Sequence, residues 1–295
     1  MNRSDFARLL GQLGFLSPKQ RAQVQGVLTA LPDTATGAVA RIIPGPEACP
    51  HCQAPAEQLR PWGHSHGLAR MRCHSCGRTS NALTGTPLAH LRRREQWMHH
   101  AQALIEGASV RKAAQCCGVD KNTAFRWRHR FLQAAAMHRP AHEGGIVEAD
   151  ETFFLESFKG QRKLPRPARK RGGAGAYFER VAVLVARDRS GQTADFRLEN
   201  VDAAHITAVL NPLIDKDAIL CTDGAVIYQK VARTMGVTHR AVNVQKGIRV
   251  LDGAFHIQNV NAYDSRLKQW MSRFHGVATK YLENYLGWRR MIERY

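Results

Sequence analysis

Two short apolar stretches of this 295-residue chain each end near an aspartate. Ile146-Val-Glu-Ala-Asp150-Glu-Thr-Phe-Phe reads as a strand that carries Glu148 and Asp150 on one face, since strand side chains alternate. Ala218-Ile-Leu-Cys-Thr-Asp223-Gly reads as a shorter strand that stops at its acid. Two converging carboxylates and a third oxygen donor can hold two divalent ions of the Mg²⁺ type, or Mn²⁺. Such ions activate a water or a 3′-hydroxyl and steady a leaving oxygen, and a phosphodiester is the natural electrophile. Glu148 and Glu151 flank Asp150, and flanking acids in a strand more often serve solvent or ion pairs.

A second constellation is made of sulfur. Cys49-x-x-Cys52 and Cys73-x-x-Cys76 are separated by 20 residues, the spacing of a structural Zn²⁺ ribbon in which each knuckle presents two thiolates to one tetrahedral ion. A ribbon this small buries too little surface to fold alone, so the metal is expected to supply its folding free energy. His51 and His74 are read as exposed rather than ligating. Cys116, Cys117 and Cys221 lack such partners and are read as small buried hydrophobes.

Between these sites lies helix-turn-helix grammar. Ser109 opens a helix that Gly118 stops, and Asp120 caps a second one. On the second helix Ala124, Trp127 and Phe131 follow core spacing, while Thr123, Arg126 and Arg130 share another face. That polar face, with Lys121 and Asn122 at its start, suits a DNA major groove. The run Lys159 to Arg171 holds seven basic residues in 13 and no acid. It reads as a loop between the first two strands of the next domain that tracks phosphates, with Lys163, Arg169, Lys170 and Arg171 as its contacts.

The elements that must position these residues follow from pattern. Residues 1–46 read as an N-terminal helical segment and linker, with a helix opening at Ser17-Pro18. Residues 47–95 form the zinc ribbon, 96–140 the helix-turn-helix domain and 141–295 the catalytic domain. In the last, Glu179 to Asp188 and Thr193 to Glu199 are strands after the Asp150 strand, and helices then alternate with strands in the order βββαβαβα. That is a ribonuclease H-like layout, in which the first strand lies centrally beside the fourth, so that acids distant in sequence meet. The expected fold class is therefore α+β multidomain: a zinc ribbon and helix-turn-helix, then an α/β domain with a mixed sheet. Trp270, Trp288 and Tyr281 are read as core.

Composition bounds the partners. Lys and Arg number 43 against 24 Asp and Glu, a formal charge of +19, and both halves of the chain are basic. A polyanion is the natural partner, and a nucleic acid suits it better than a membrane surface, since no amphipathic anchor accompanies the charge. No apolar run approaches a membrane span, and the N-terminus lacks a signal-peptide core. The expected location is the cytoplasm, associated with the nucleoid.

Asp150-Glu-Thr, Asp223-Gly and His256-Ile-Gln-Asn-Val-Asn261-Ala-Tyr-Asp-Ser-Arg-Leu-Lys268 together resemble the core of the DDE-type transposases of bacterial insertion sequences. The closer resemblance is to the branch with a zinc ribbon and helix-turn-helix ahead of the catalytic domain, and it covers about residues 49–290. It implies that Asn261 takes the third metal-site position, held by Glu or Asn in that branch, and that Lys268 follows it. The two lie seven apart, or two helical turns, on one side of a helix. Asn offers a neutral carbonyl oxygen where Glu would offer a charge, so the ions should be held less tightly. Asp264 is a rival third ligand and Glu283 a weaker one.

The resemblance implies a transposase that recognises terminal inverted repeats in double-stranded DNA, cleaves the end and joins it to target DNA, acting as a homodimer or higher oligomer. Two other functions compete. One is a zinc-ribbon and helix-turn-helix regulator with an inactive ribonuclease H-like domain, which would not need converging acids. The other is a ribonuclease H-like nuclease, against which the dedicated DNA-reading modules argue.

Overall fold

The computed structural model describes residues 8–9, 11–30, 46–167, 179–243 and 247–294. The chain divides into two compact units, one formed by residues 1–102 with 116–118, the other by residues 103–115 with 119–295. Among the described residues no helix is long and apolar enough to cross a membrane.

The first unit begins with helix α1 (Pro18–Ala30), opened by a reciprocal cap: the Gln20 N–H donates to Ser17 Oγ, and the Ser17 N–H to Gln20 Oε1. Beyond it a three-stranded antiparallel sheet runs β1 (Leu59–Ser65), β2 (Leu68–Cys73) and β3 (Thr79–Asn81). The β1–β2 hairpin closes through His66 and Gly67, both with positive φ, the backbone that matches the twist of a two-residue turn.

The second unit contains helices α2 (Trp97–Ile105, whose last turn it takes in), α3 (Val110–Cys116) and α4 (Lys121–Met137), then a five-stranded mixed sheet with its own helices. Ser109 Oγ accepts the Lys112 N–H at 3.2 Å and Asp120 Oδ1 accepts the Asn122 N–H at 2.7 Å, so both expected caps form. The sheet is built from β4 (Ile146–Leu155), β5 (Arg180–Asp188), β6 (Thr193–Leu198), β7 (Ile219–Thr222) and β8 (Thr238–Ala241) in the order β6-β5-β4-β7-β8. β4 is central, antiparallel to β5 and parallel to β7. The expected adjacency of first and fourth strands is present.

Alternation along the central strands divides the core into two layers. Val147, Ala149, Leu184 and Ala186 face α5 (Ala203–Leu210) and α6 (Val226–Met235), burying Ile206, Leu210, Tyr228 and Val231. Val183, Val185 and Cys221 face α7 (Gln258–Ser272) and α8 (Leu282–Arg294), burying Val260, Tyr263, Leu267, Leu286 and Trp288. Trp270 and Trp288 are core, as expected.

Helix α4 belongs to this second layer. A Cβ on Gly287 of α8 would run into the backbone of Ala135 and Ala136, so only glycine allows the two helices to approach this closely. Arg290 of α8 donates to the carbonyls of Ala135, Ala136 and His138 and pairs with the fully buried Asp195, which Tyr263 Oη also reaches. Arg128, on the same helix as the polar face, is buried: it donates to the Ala108 carbonyl at 2.6 Å and stacks on Trp288. Cys117 and Cys221 are buried as expected, whereas Cys116 is exposed because it falls on the outer side of the last turn of α3.

Candidate functional site

The parallel register of β4 and β7 determines where the two aspartates stand. Val147 is level with Leu220 and Glu148 with Cys221. Asp150 lies two residues beyond Glu148 on β4 and Asp223 two beyond Cys221, just past the end of β7, so continuing this register would bring the two acids to the same end of the sheet. That face is the one covered by α7. β7 ends at Thr222, and Gly224, at a φ of 87°, turns the chain away immediately after the acid. Asp223 stays exposed, with its Oδ1 accepting the Ala225 N–H at 2.9 Å.

The charges of the site act on one another. Burial pushes the Asp150 carboxyl above the usual aspartate range; the Glu151 N–H draws it back, Asp223 pushes it up again, and the Lys268 ammonium opposes them. Burial also raises Asp264, with Asp150 adding to it and Lys268 subtracting, to about 8. Asp150, Asp223, Asp264 and Lys268 therefore share one electrostatic neighbourhood. Such crowding of acids favours a bound cation. Asn261 and Lys268 are both exposed on α7, whereas Asp264, one turn beyond Asn261, is buried. Glu283 is exposed in the first turn of α8.

Glu148 and Glu151 have work that the sequence alone does not reveal. Glu148 is fully buried, and its Oε2 accepts the N–H groups of Asn259 (2.8 Å) and Val260 (3.0 Å) at the start of α7. Arg189 reaches Glu148 Oε1 at 2.6 Å. His256 sits 3.4 Å from the same oxygen, and its Nδ1 accepts the N–H of Gln258, the first residue of α7, at 3.3 Å. Glu148 thus fixes the first turn of the helix that carries Asn261. Glu151 accepts a 2.6 Å bond from Tyr228 Oη, tying β4 to α6 just after Asp223. The available signal for Glu148 was its phase with Asp150. Its partners lie too far along the chain to be read.

Lys121, Asn122, Arg126 and Arg130 are exposed on α4 and Thr123 is half-buried, while Ala124 and Trp127 are buried beneath them and Phe131 partly so. Lys163 is exposed. Lys159 and Arg166 of the same run are engaged: Lys159 Nζ donates to the carbonyls of Phe274, His275 and Gly276, and Arg166 pairs with Glu156 and Glu179. Arg169, Lys170 and Arg171 lie outside the described residues.

In the first unit the sulfurs of Cys49, Cys52, Cys73 and Cys76 all lie within 4.8 Å of one another. Cys49 and Cys76 are 3.8 Å apart and Cys52 and Cys73 3.7 Å. The edge of a tetrahedron with Zn–S bonds of about 2.3 Å is about 3.8 Å, so the quartet fits such an ion. Backbone hydrogen bonding from Cys76, more than any other influence, draws the Cys73 thiol down, while the Cys52 thiol beside it is pushed up. His51 and His74 are exposed, as expected.

Residues 143–289 match the ISXO2-like transposase domain, and residues 91–136 match a homeodomain-like domain. Similar solved chains come from the simian T-cell lymphotropic virus intasome in complex with PP2A regulatory subunit B56 gamma (10% identity, 64% of this chain and 66% of that chain, TM-score 0.30). Others come from a pre-cleavage Mos1 transpososome (13%, 68% and 76%, 0.25) and the Mos1 mariner paired end complex with Mn (14%, 69% and 77%, 0.23). The chain thus spans just under two thirds of the first of these. No curated protein matches it.

Proposed function

We propose, for a chain whose residues 143–289 belong to the ISXO2-like transposase domain family, that this DNA transposase binds the terminal inverted repeats of an insertion sequence. It then cleaves a phosphodiester at the end and joins the exposed 3′-hydroxyl to target DNA. What supports this reading is the parallel register of β4 and β7, which sets Glu148 level with Cys221 two residues before each aspartate, together with the effect of the Asp223 charge on the Asp150 carboxyl. Asp150, Asp223 and Asn261 would hold two divalent ions, Mg²⁺ or Mn²⁺, which when bound supply Lewis-acid activation of the attacking oxygen and stabilise the leaving one.

The chain's own groups have distinct parts. Asp150 and Asp223 bring two negative charges, and Asn261 a neutral carbonyl oxygen. Lys268 offsets the carboxylates and is free at its exposed tip to meet a DNA phosphate. Burial and the Asp150 charge raise the Asp264 carboxyl, and the third ligand position is assigned to Asn261 rather than to Asp264. Glu148 is a positioning residue that sets α7 against β4.

Lys121, Asn122, Thr123, Arg126 and Arg130 would enter a major groove, and Lys163, Arg169, Lys170 and Arg171 would follow phosphates. The cysteine quartet would hold one structural Zn²⁺. Joining two transposon ends calls for a homodimer or higher oligomer on DNA, and such a protein works in the cytoplasm at the nucleoid.

The test is cleavage and strand joining on a labelled inverted-repeat end with Mg²⁺ or Mn²⁺. Asp150→Asn and Asp223→Asn are expected to bind the end and leave it uncut. Near-normal cutting by either variant would overturn the assignment.

A further inference from the structure

The zinc-ribbon sheet presents an aromatic side chain to solvent where a soluble surface would ordinarily carry a polar one. Trp62 on β1 is 50% exposed. The register of the hairpin slips between Pro61 and His64, with Gly63 at a φ of 71°, and this bulge redirects the strand just at the indole. Arg72 of β2 lies over the indole ring at 4.6 Å from its centre, and its Nε donates to the Gly77 carbonyl. Arg60 stands directly across from Arg72 in the antiparallel register, so both point to the same side of the sheet. These three side chains line a concavity of about 340 Å³ with Cys73, His74 and Gly77, within the size range of ligand clefts, which runs from about 300 to 1,000 Å³.

The sequence between Glu57 and Glu95 is basic. Residues 58–94 contain seven arginines and no aspartate or glutamate. Two arginines side by side and unopposed select a polyanion. A half-exposed indole beside them adds something a phosphate does not need, namely a flat π face. Base stacking on an aromatic platform, with arginines on the backbone to either side, is the recognition chemistry of single-stranded nucleic acid, because a paired base buries its faces in the duplex.

We propose that the outer face of the zinc-ribbon hairpin binds an unpaired DNA base, with Trp62 stacking on the base and Arg60 and Arg72 holding the adjoining phosphates. The site uses none of the residues of α4 or the paired acids, and it does not depend on the catalytic assignment. Asp150→Asn would leave it intact, so the failure of one reading is distinguishable from the failure of the other. Its use would be to hold a strand unpaired at an opened DNA end.

The experiment measures anisotropy of the full-length, zinc-loaded protein with a labelled oligothymidylate and with a blunt duplex at fixed salt. Trp62→Ala is expected to weaken oligothymidylate binding by about tenfold, the effect of losing one stacked base, and to leave duplex binding nearly unchanged. Trp62→Phe, which keeps a π face, should retain most of the affinity. Arg60→Gln and Arg72→Gln should each lower the slope of log affinity against log salt by about 0.7, and they keep the test decisive even if alanine at 62 disturbs the hairpin. Unchanged oligothymidylate binding in Trp62→Ala, an equal loss on duplex, or salt slopes unaffected by both arginine variants would overturn the proposal. Tighter Trp62-dependent binding of oligouridylate would overturn the choice of DNA.

Discussion

Glu148 and Val260 lie 112 positions apart in the chain and are joined by a 3.0 Å hydrogen bond from the Val260 N–H to the Glu148 carboxylate. A helix start leaves its first N–H groups unsatisfied, and here two of them, from Asn259 and Val260, are taken up by one buried carboxylate from the central strand. The strand that carries Asp150 and the helix that carries Asn261 are thereby held as one piece.

Removing that carboxylate breaks a buried ion pair and orphans two amides. Glu148→Ala is expected to lower unfolding free energy by about 3–5 kcal/mol. Glu148→Gln keeps an oxygen for both amides and should recover at least half of the loss. Urea denaturation measures both. Equal losses would show that the charge facing Arg189, rather than the amides, carries the stability.

Glu143 gives the fold a dependence on pH. Burial first and Asp188 second push its carboxyl from the usual 4.5 up to about 9. The folded chain therefore keeps a proton that the unfolded chain releases, and the stability this contributes is complete below pH 4.5 and is lost as pH rises towards 9. Glu143→Gln should match the wild type near pH 4.5 and exceed it by about 5 kcal/mol near pH 8.5. A difference that is constant with pH would contradict this.

The cysteine quartet should bind one Zn²⁺ per chain. Cys73→Ser is expected to abolish stoichiometric zinc and to unfold the hairpin, as seen by metal analysis and by loss of Trp62-dependent DNA binding. Full zinc content in this variant would remove Cys73 from the ligand set.

The third oxygen ligand can be identified by a small set of substitutions. Asn261→Ala should abolish cleavage, Asn261→Glu should retain it, and Lys268→Ala should slow it with little change in the metal concentration required. Asp264→Ala should remain active. Loss of activity in Asp264→Ala with Asn261→Ala still active would transfer the role to Asp264.

Local physics made much of this molecule legible from its residues. Ser109, Gly118 and Asp120 mark helix ends because capping is decided within four residues. The thiolate pairs reveal themselves by spacing, and the acids on the first and fourth strands by topology. What stayed hidden was set by tertiary packing. Glu148 reads as a flanking acid until α7 is laid on its strand, and no local pattern shows that Trp288 and the Ala108 carbonyl enclose Arg128. Cys116 was expected to be buried beside Cys117, and the helical rotation between neighbours turns it outward. Trp62 gave no periodic signal, since its exposure follows from a bulge rather than from strand alternation.

The central claim is that Asp150 and Asp223 ligate the ions that act on DNA. Its most direct test is a change of ligand with a matching change of metal, since thiolate prefers softer ions than Mg²⁺. With Asp150→Cys and Asp223→Cys, end cleavage on a labelled inverted repeat is predicted to be lost in Mg²⁺ and to return in Mn²⁺, while Glu151→Cys shows no such dependence on metal. Equal activity of the two aspartate variants in both metals would contradict the claim.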